Sequence, residues 1–162
     1  FSERSRNKLL DAIPDRLADV RARIARAASR AGRDPSTIRL VAVTKTFPAD
    51  YVRAAAAAGQ KDFGENKVQE ALAKMDATAD LPIRWHLVGH LQSNKAKKAG
   101  ARFDVVQSTD SVDLLRKLDD AALGVDHLAQ AVSACFRRNR EACFPHPLDL
   151  GNDLRRERAN AH

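Results

Sequence analysis

Cysteine is scarce in this chain of 162 residues, and both copies, Cys135 and Cys143, fall in its last quarter. Two such residues make no disulfide framework of the kind small secreted domains rely on. The long gaps from His127 to Cys135 and from Cys135 to Cys143, with His146 beyond, fit no common zinc spacing, so no metal site is expected. Long hydrophobic runs are missing too, and nothing approaches the roughly 20 apolar residues of a membrane span. Phe1-Ser2-Glu3-Arg4 opens a polar, charged stretch where a secretory signal would carry its apolar core, which makes the cytoplasm the expected location. Aromatic residues are only 5% of the chain and none alternates with basic ones, which speaks against a base-stacking platform for single-stranded nucleic acid. The sole methionine is Met75, so an initiator is absent and the recorded N-terminus reads as cut or processed.

What is present fits a soluble globular domain: 30% charged and 44% apolar residues, enough chain for one core. A complete eight-unit (β/α) barrel usually needs roughly 250 residues, more than are available. The net charge of +7 is unevenly spread. Between residues 84 and 102, Arg84, Lys95, Lys97, Lys98 and Arg102 stand without a single acid. Such a cluster is either a solvated helix face or an attractor of phosphate, on a small molecule or on nucleic acid.

Apolar residues recur at helical spacing from Leu9 to Ala28, with Pro14 dividing a short first turn from a longer helix starting at about Asp15 and capped by Gly32. A strand over Arg39 to Thr44 follows, then a helix opened by Pro48-Ala49-Asp50 and stopped by Gly59. A short strand at Asp62-Phe63 leads into a turn at Gly64-Glu65-Asn66. The next helix is expected from Asn66 to about Ala77, with Asn66 as N-cap and Gln69 closing a capping box. Ile83 to Val88 is a third strand, Asn94 to Ala99 a third helix, Phe103 to Gln107 a fourth strand and Ser111 to Ala122 a fourth helix. Strands alternating with helices imply parallel pairing and right-handed crossovers. The expected fold is therefore α/β: an N-terminal helix and about four βα units, a partial (β/α) barrel rather than an open doubly wound sheet. From Leu123 the rhythm breaks. No buried strand is evident there, a helix over Asp126 to Phe136 is the only element suggested, and little order is expected after Pro145. The expected division is a barrel-like domain over 1–122 and a divergent tail over 123–162.

In a parallel sheet the strand C-termini share one edge, where α/β proteins place their chemistry. Leu40-Val41-Ala42-Val43-Thr44-Lys45 delivers a lysine to that edge, and a lysine amine can condense with an aldehyde cofactor. Asn66 and His86 are positioned to hydrogen-bond polar substituents of such a group. Asn66 is otherwise a helix cap, and His86, beside Trp85, is otherwise a satisfied core histidine.

Four segments in order, Val41-Ala42-Val43-Thr44-Lys45, Phe63-Gly64-Glu65-Asn66-Lys67-Val68-Gln69-Glu70, Trp85-His86-Leu87-Val88-Gly89-His90-Leu91-Gln92-Ser93-Asn94-Lys95 and Gln107-Ser108-Thr109-Asp110-Ser111, resemble the pyridoxal phosphate homeostasis proteins. These are single-domain relatives of the alanine racemase N-terminal barrel, and the resemblance spans roughly Leu17 to Ala121. It implies a (β/α)₈ barrel carrying pyridoxal 5′-phosphate as an internal aldimine on Lys45, the group that Asn66 and His86, as candidate cofactor contacts, would then meet. It further implies a cofactor carrier rather than an enzyme, with apo enzymes that need pyridoxal phosphate as recipients and with neither a membrane nor a specific nucleic acid as partner.

The chain departs from the family pattern in two places. Lys67 stands where an aromatic residue is common, and no counterpart of the later phosphate-binding turns is evident after Ala122. A barrel truncated in this way would have open sheet edges prone to association and a weakened hold on the phosphate. Two other readings compete. A racemase-type enzyme wants a second base facing the cofactor, usually a tyrosine, and the sole Tyr51 lies just beyond Lys45. A nucleic-acid-binding module would use the basic cluster at 84–102, with steep salt dependence.

Overall fold

The computed structural model describes residues 3–122 and the backbone of a strand at Gln130–Ala131. Two helices, α1 (Glu3–Asp11) and α2 (Ile13–Arg30), precede the sheet. Their junction follows from Pro14, which has no N–H to donate but sits in the first turn of α2, where that donor would be unpaired anyway. Gly32 ends α2 with a left-handed φ of 64°. There the Gly32 N–H reaches Ser29 O at 3.2 Å and the Arg33 N–H reaches Ala28 O at 2.9 Å, the paired bonds of a Schellman close.

The βα units follow in sequence: β1 (Ala42–Val43), α3 (Ala49–Ala57), β2 (Asp62–Glu65), α4 (Val68–Ala77), β3 (Arg84–Leu87), α5 (Ala96–Arg102), β4 (Val105–Val106), α6 (Val112–Ala122) and β5 (Gln130–Ala131). All pairings are parallel and the spatial order is β1-β2-β3-β4-β5. A doubly wound sheet reverses its strand order at a switch point, whereas this one never does, so the winding is that of a (β/α) barrel segment.

The register sets Ala42 beside Phe63 and Phe63 beside Trp85, and Leu87 beside Val106. These side chains face the helices and pack with Val52, Ala71, Met75, Ala99, Leu114 and Leu118 in one core. Each fully buried Phe or Leu in it contributes about 1.5–3 kcal/mol. The Phe63 and Trp85 rings meet at 5.9 Å between centroids, tilted by 42°. On the outside, Arg53 of α3 forks onto Asp80 at 2.8 and 2.7 Å, joining α3 to the loop after α4.

Several boundaries differ from expectation. The β1 ladder is confined to Ala42–Val43, extended by the Thr44 N–H to Gly64 O at 2.9 Å, because this strand has a described neighbour on one side only. Gly64 and Glu65 belong to the buried strand β2 and not to a turn. Asn66 does not cap α4: Lys67 occupies the cap position in extended conformation, no side chain closes the turn, and the helix starts at Val68. A 3-10 turn at Ser93–Lys95 precedes α5, which runs on to Arg102. The strand β5 lies where no strand, but a helix from Asp126 to Phe136, was anticipated. The rest of that expected helix, the cysteines and the region after Pro145 lie outside the described residues.

Candidate functional site

Gly64 identifies the face of the sheet turned away from the helices. A Cβ built there would meet Val41 Cγ1 and Val43 Cγ2 at 3.2 Å and Val88 Cγ1 at 3.3 Å, so these valines share the side opposite Phe63 and Glu65. That face is open enough to leave Val43 47% exposed. Lys45 follows two residues after Val43, and Asn66 two residues after Gly64, Val43's partner in the ladder. Continuing the register puts Lys45 and Asn66 level at the C-terminal edge, with His86, the partner of Gly64 in β3, one row behind.

Lys45 is exposed and forms no hydrogen bond or ion pair with any described residue. It sits in a tight turn closed by the Phe47 N–H to Thr44 O at 3.1 Å, and the next residue, Thr46, has a φ of 68°. A β-branched residue in the left-handed region is strained. The Asn66 side chain is half-buried and likewise uncommitted among the described residues. Its backbone is fixed by close packing on the loop after β3: a Cβ on Gly89 would lie 2.3 Å from Asn66 O and 2.7 Å from its Cα.

His86 is a satisfied buried histidine. Its Nε2 lies 2.9 Å from Asp62 Oδ1, and the Gln107 amide nitrogen approaches Nδ1 at 3.2 Å. An amide nitrogen only donates, so Nδ1 accepts and Nε2 carries the proton given to Asp62. Both ring nitrogens of His86 are thus engaged by protein groups. Asp62 also takes the Arg84 fork at 2.8 and 2.9 Å. Burial by itself would raise its carboxyl, but hydrogen bonds from Arg84 and His86, and the Arg84 charge, hold it below the usual 3.8.

A second buried polar group lies on the helix side and is absent from the sequence reading. Lys74 of α4 donates to Glu65 Oε1 and to Thr44 O, both at 2.6 Å, and the Thr44 hydroxyl donates to the same Oε1 at 2.7 Å. Glu65 is fully buried, and its Oε2 has no partner among the described residues. The one signal for this cluster in the sequence is an acid inside a buried apolar strand.

The basic cluster does not act as one free patch. Arg84 is committed to Asp62 and Arg102 to Asp76, leaving Lys95, Lys97 and Lys98. Among the described residues no helix is long and apolar enough to cross a membrane, and no group of three or more potential metal ligands occurs.

No family profile matches the chain. Individual proteins do. It is 42% identical over 142 residues to the pyridoxal phosphate homeostasis protein of Pseudomonas aeruginosa, covering 86% of this chain and 62% of that one. The Escherichia coli K12 protein of the same name is 41% identical over 111 residues, covering 67% of this chain and 47% of its own. Among solved structures, PipY of Synechococcus elongatus PCC7942 with pyridoxal phosphate (PLP) bound is 41% identical with a TM-score of 0.61, over 83% of this chain and 63% of PipY. The chain thus spans about half to three fifths of these relatives' lengths. Residues 1–122 would be 75% of 162, so the 86% coverage means that the likeness continues past Leu123.

Proposed function

Since the chain belongs to the family of pyridoxal phosphate homeostasis proteins, we propose that it is a non-enzymatic carrier of pyridoxal 5′-phosphate that attaches the cofactor through Lys45. The observation that carries this reading is an amine at the C-terminal sheet edge, level with an amide, both uncommitted among the described residues, above an exposed apolar face. When bound, the cofactor supplies an aldehyde carbon with which a primary amine condenses, releasing water. Lys45 provides that amine. Asn66 offers both a donor and an acceptor to polar substituents of the ring. Val43 and Val88 present an apolar surface, and His86, locked by Asp62 and Gln107, acts as a rigid backing rather than as a hydrogen-bonding ligand.

The same arrangement favours carrier over racemase. On this face the acid–base pair His86 and Asp62 is bonded to itself, and the Tyr51 ring packs on Phe47 at 5.0 Å. Delivery of the cofactor to apo enzymes in the cytoplasm completes the proposal. Its test is to add pyridoxal phosphate to the purified chain, reduce with borohydride and map the labelled peptide. One label on Lys45, with a visible absorbance band before reduction, is expected. A Lys45→Ala chain that still takes up one specific equivalent overturns the assignment.

A further inference from the structure

We infer that Lys74 and Glu65 form a clamp behind the sheet that fixes the direction of both Lys45 and Asn66. The inference rests on reading Lys45 as the attachment residue, and the clamp residues are positioning groups, since their side chains lie on the opposite face.

Thr44 directly precedes Lys45, and Glu65 directly precedes Asn66. Every polar group of Thr44 is held: its N–H by Gly64 O at 2.9 Å, its hydroxyl by Glu65 Oε1 at 2.7 Å, and its carbonyl by Lys74 Nζ at 2.6 Å and the Phe47 N–H at 3.1 Å. Lys74 therefore bridges the ends of β1 and β2 at the row just before the candidate ligands. Its side chain is 12% exposed and that of Glu65 0%. A buried ion pair gives little net stability over apolar side chains of the same volume, so its distinctive contribution is directional. The strained turn agrees, because a left-handed Thr46 persists only where its surroundings over-determine it, and the pinned Thr44 is that surrounding. Lys74 also resolves which lysine is available: its amine is already bonded twice, whereas that of Lys45 is not.

The test replaces the pair together, Lys74→Met with Glu65→Gln, so that no charge is left buried alone and the Thr44 hydroxyl keeps an acceptor. Circular dichroism checks the fold. In the cofactor-free chain, amide hydrogen exchange of Phe47, whose N–H closes the turn on Thr44 O, is expected to rise about tenfold while exchange in the core of α4 stays as in the parent. The pyridoxal phosphate concentration that half-labels Lys45 under borohydride is expected to rise about tenfold, short of the roughly 10²-fold that a 1 Å misplacement of a reacting group can cost. The pH midpoint of the visible band is expected to move with it. Thr44→Val, which removes one clamp bond and leaves the ion pair intact, is expected to shift labelling in the same direction by a smaller factor and decides the matter if the double variant does not fold. Parent-like exchange and labelling in a folded variant overturns the clamp. If the parent chain takes no label on Lys45, the carrier reading fails, while exchange at the Phe47 amide still decides whether the pair holds the turn.

Discussion

At the residue scale, the two sides of Asn66 separate a ligand from a helix cap. Its side chain makes no bond to a described residue and α4 begins two residues later, so Asn66→Ala is expected to change urea stability by less than about 0.5 kcal/mol, where loss of a true N-cap costs about 1 kcal/mol. The same variant should load pyridoxal phosphate more weakly. Gly89→Ala should do the reverse in order of severity. Its new Cβ meets backbone atoms of Asn66 at 2.3 and 2.7 Å, which cannot swing away like a side-chain tip, so a loss of about 1–3 kcal/mol in urea unfolding is expected. The placement of Lys45 and Asn66 at one edge was legible in the sequence because a parallel sheet gathers strand ends there whatever the side chains do. The partners of His86 were not legible. Its partners Asp62 and Gln107 stand 24 and 21 residues away on flanking strands, and only the register brings them to its two nitrogens.

At the scale of single elements, punctuation by glycine and proline was the most readable signal. Gly32 closes α2 at φ 64°, and Gly32→Ala is expected to lower the thermal midpoint, at a cost of about 1 kcal/mol for a side chain in that conformation. The polar residues around β2 misled. Gly64-Glu65-Asn66 has turn-like composition, yet Glu65 is buried in the strand because Lys74 and Thr44 supply its partners. Local composition cannot report a partner on another element. Likewise β5 is two residues long, too short to show any periodicity of its own, and only its pairing with β4 identifies it.

At the scale of the whole molecule, Asp62 joins Arg84 and His86 across neighbouring strands and links protonation to folding. Its folded carboxyl titrates below the ordinary 3.8, so the stability it contributes is fully present above that value and is lost as pH falls through the lower, folded one. Thermal melts between about pH 5 and about pH 2 should therefore decline less steeply for Asp62→Asn than for the parent chain. A parent and variant with parallel acid profiles would remove Asp62 from the acid response. The winding of the sheet was legible as a class, since repeated βα alternation implies parallel crossovers. The observed strand order bears out the expected barrel segment over the doubly wound alternative, which shares the same alternation and differs only in where each new strand is laid.

That laying order bears on how the polypeptide is made. Every strand bonds to the one synthesised just before it, so docking needs only short loop closures and can keep pace with emergence from the ribosome. Lys45, Asn66 and the braced histidine all belong to the first three strands or their ends. The amine proposed to meet the aldehyde thus lies in the part of the sheet whose strands can dock first.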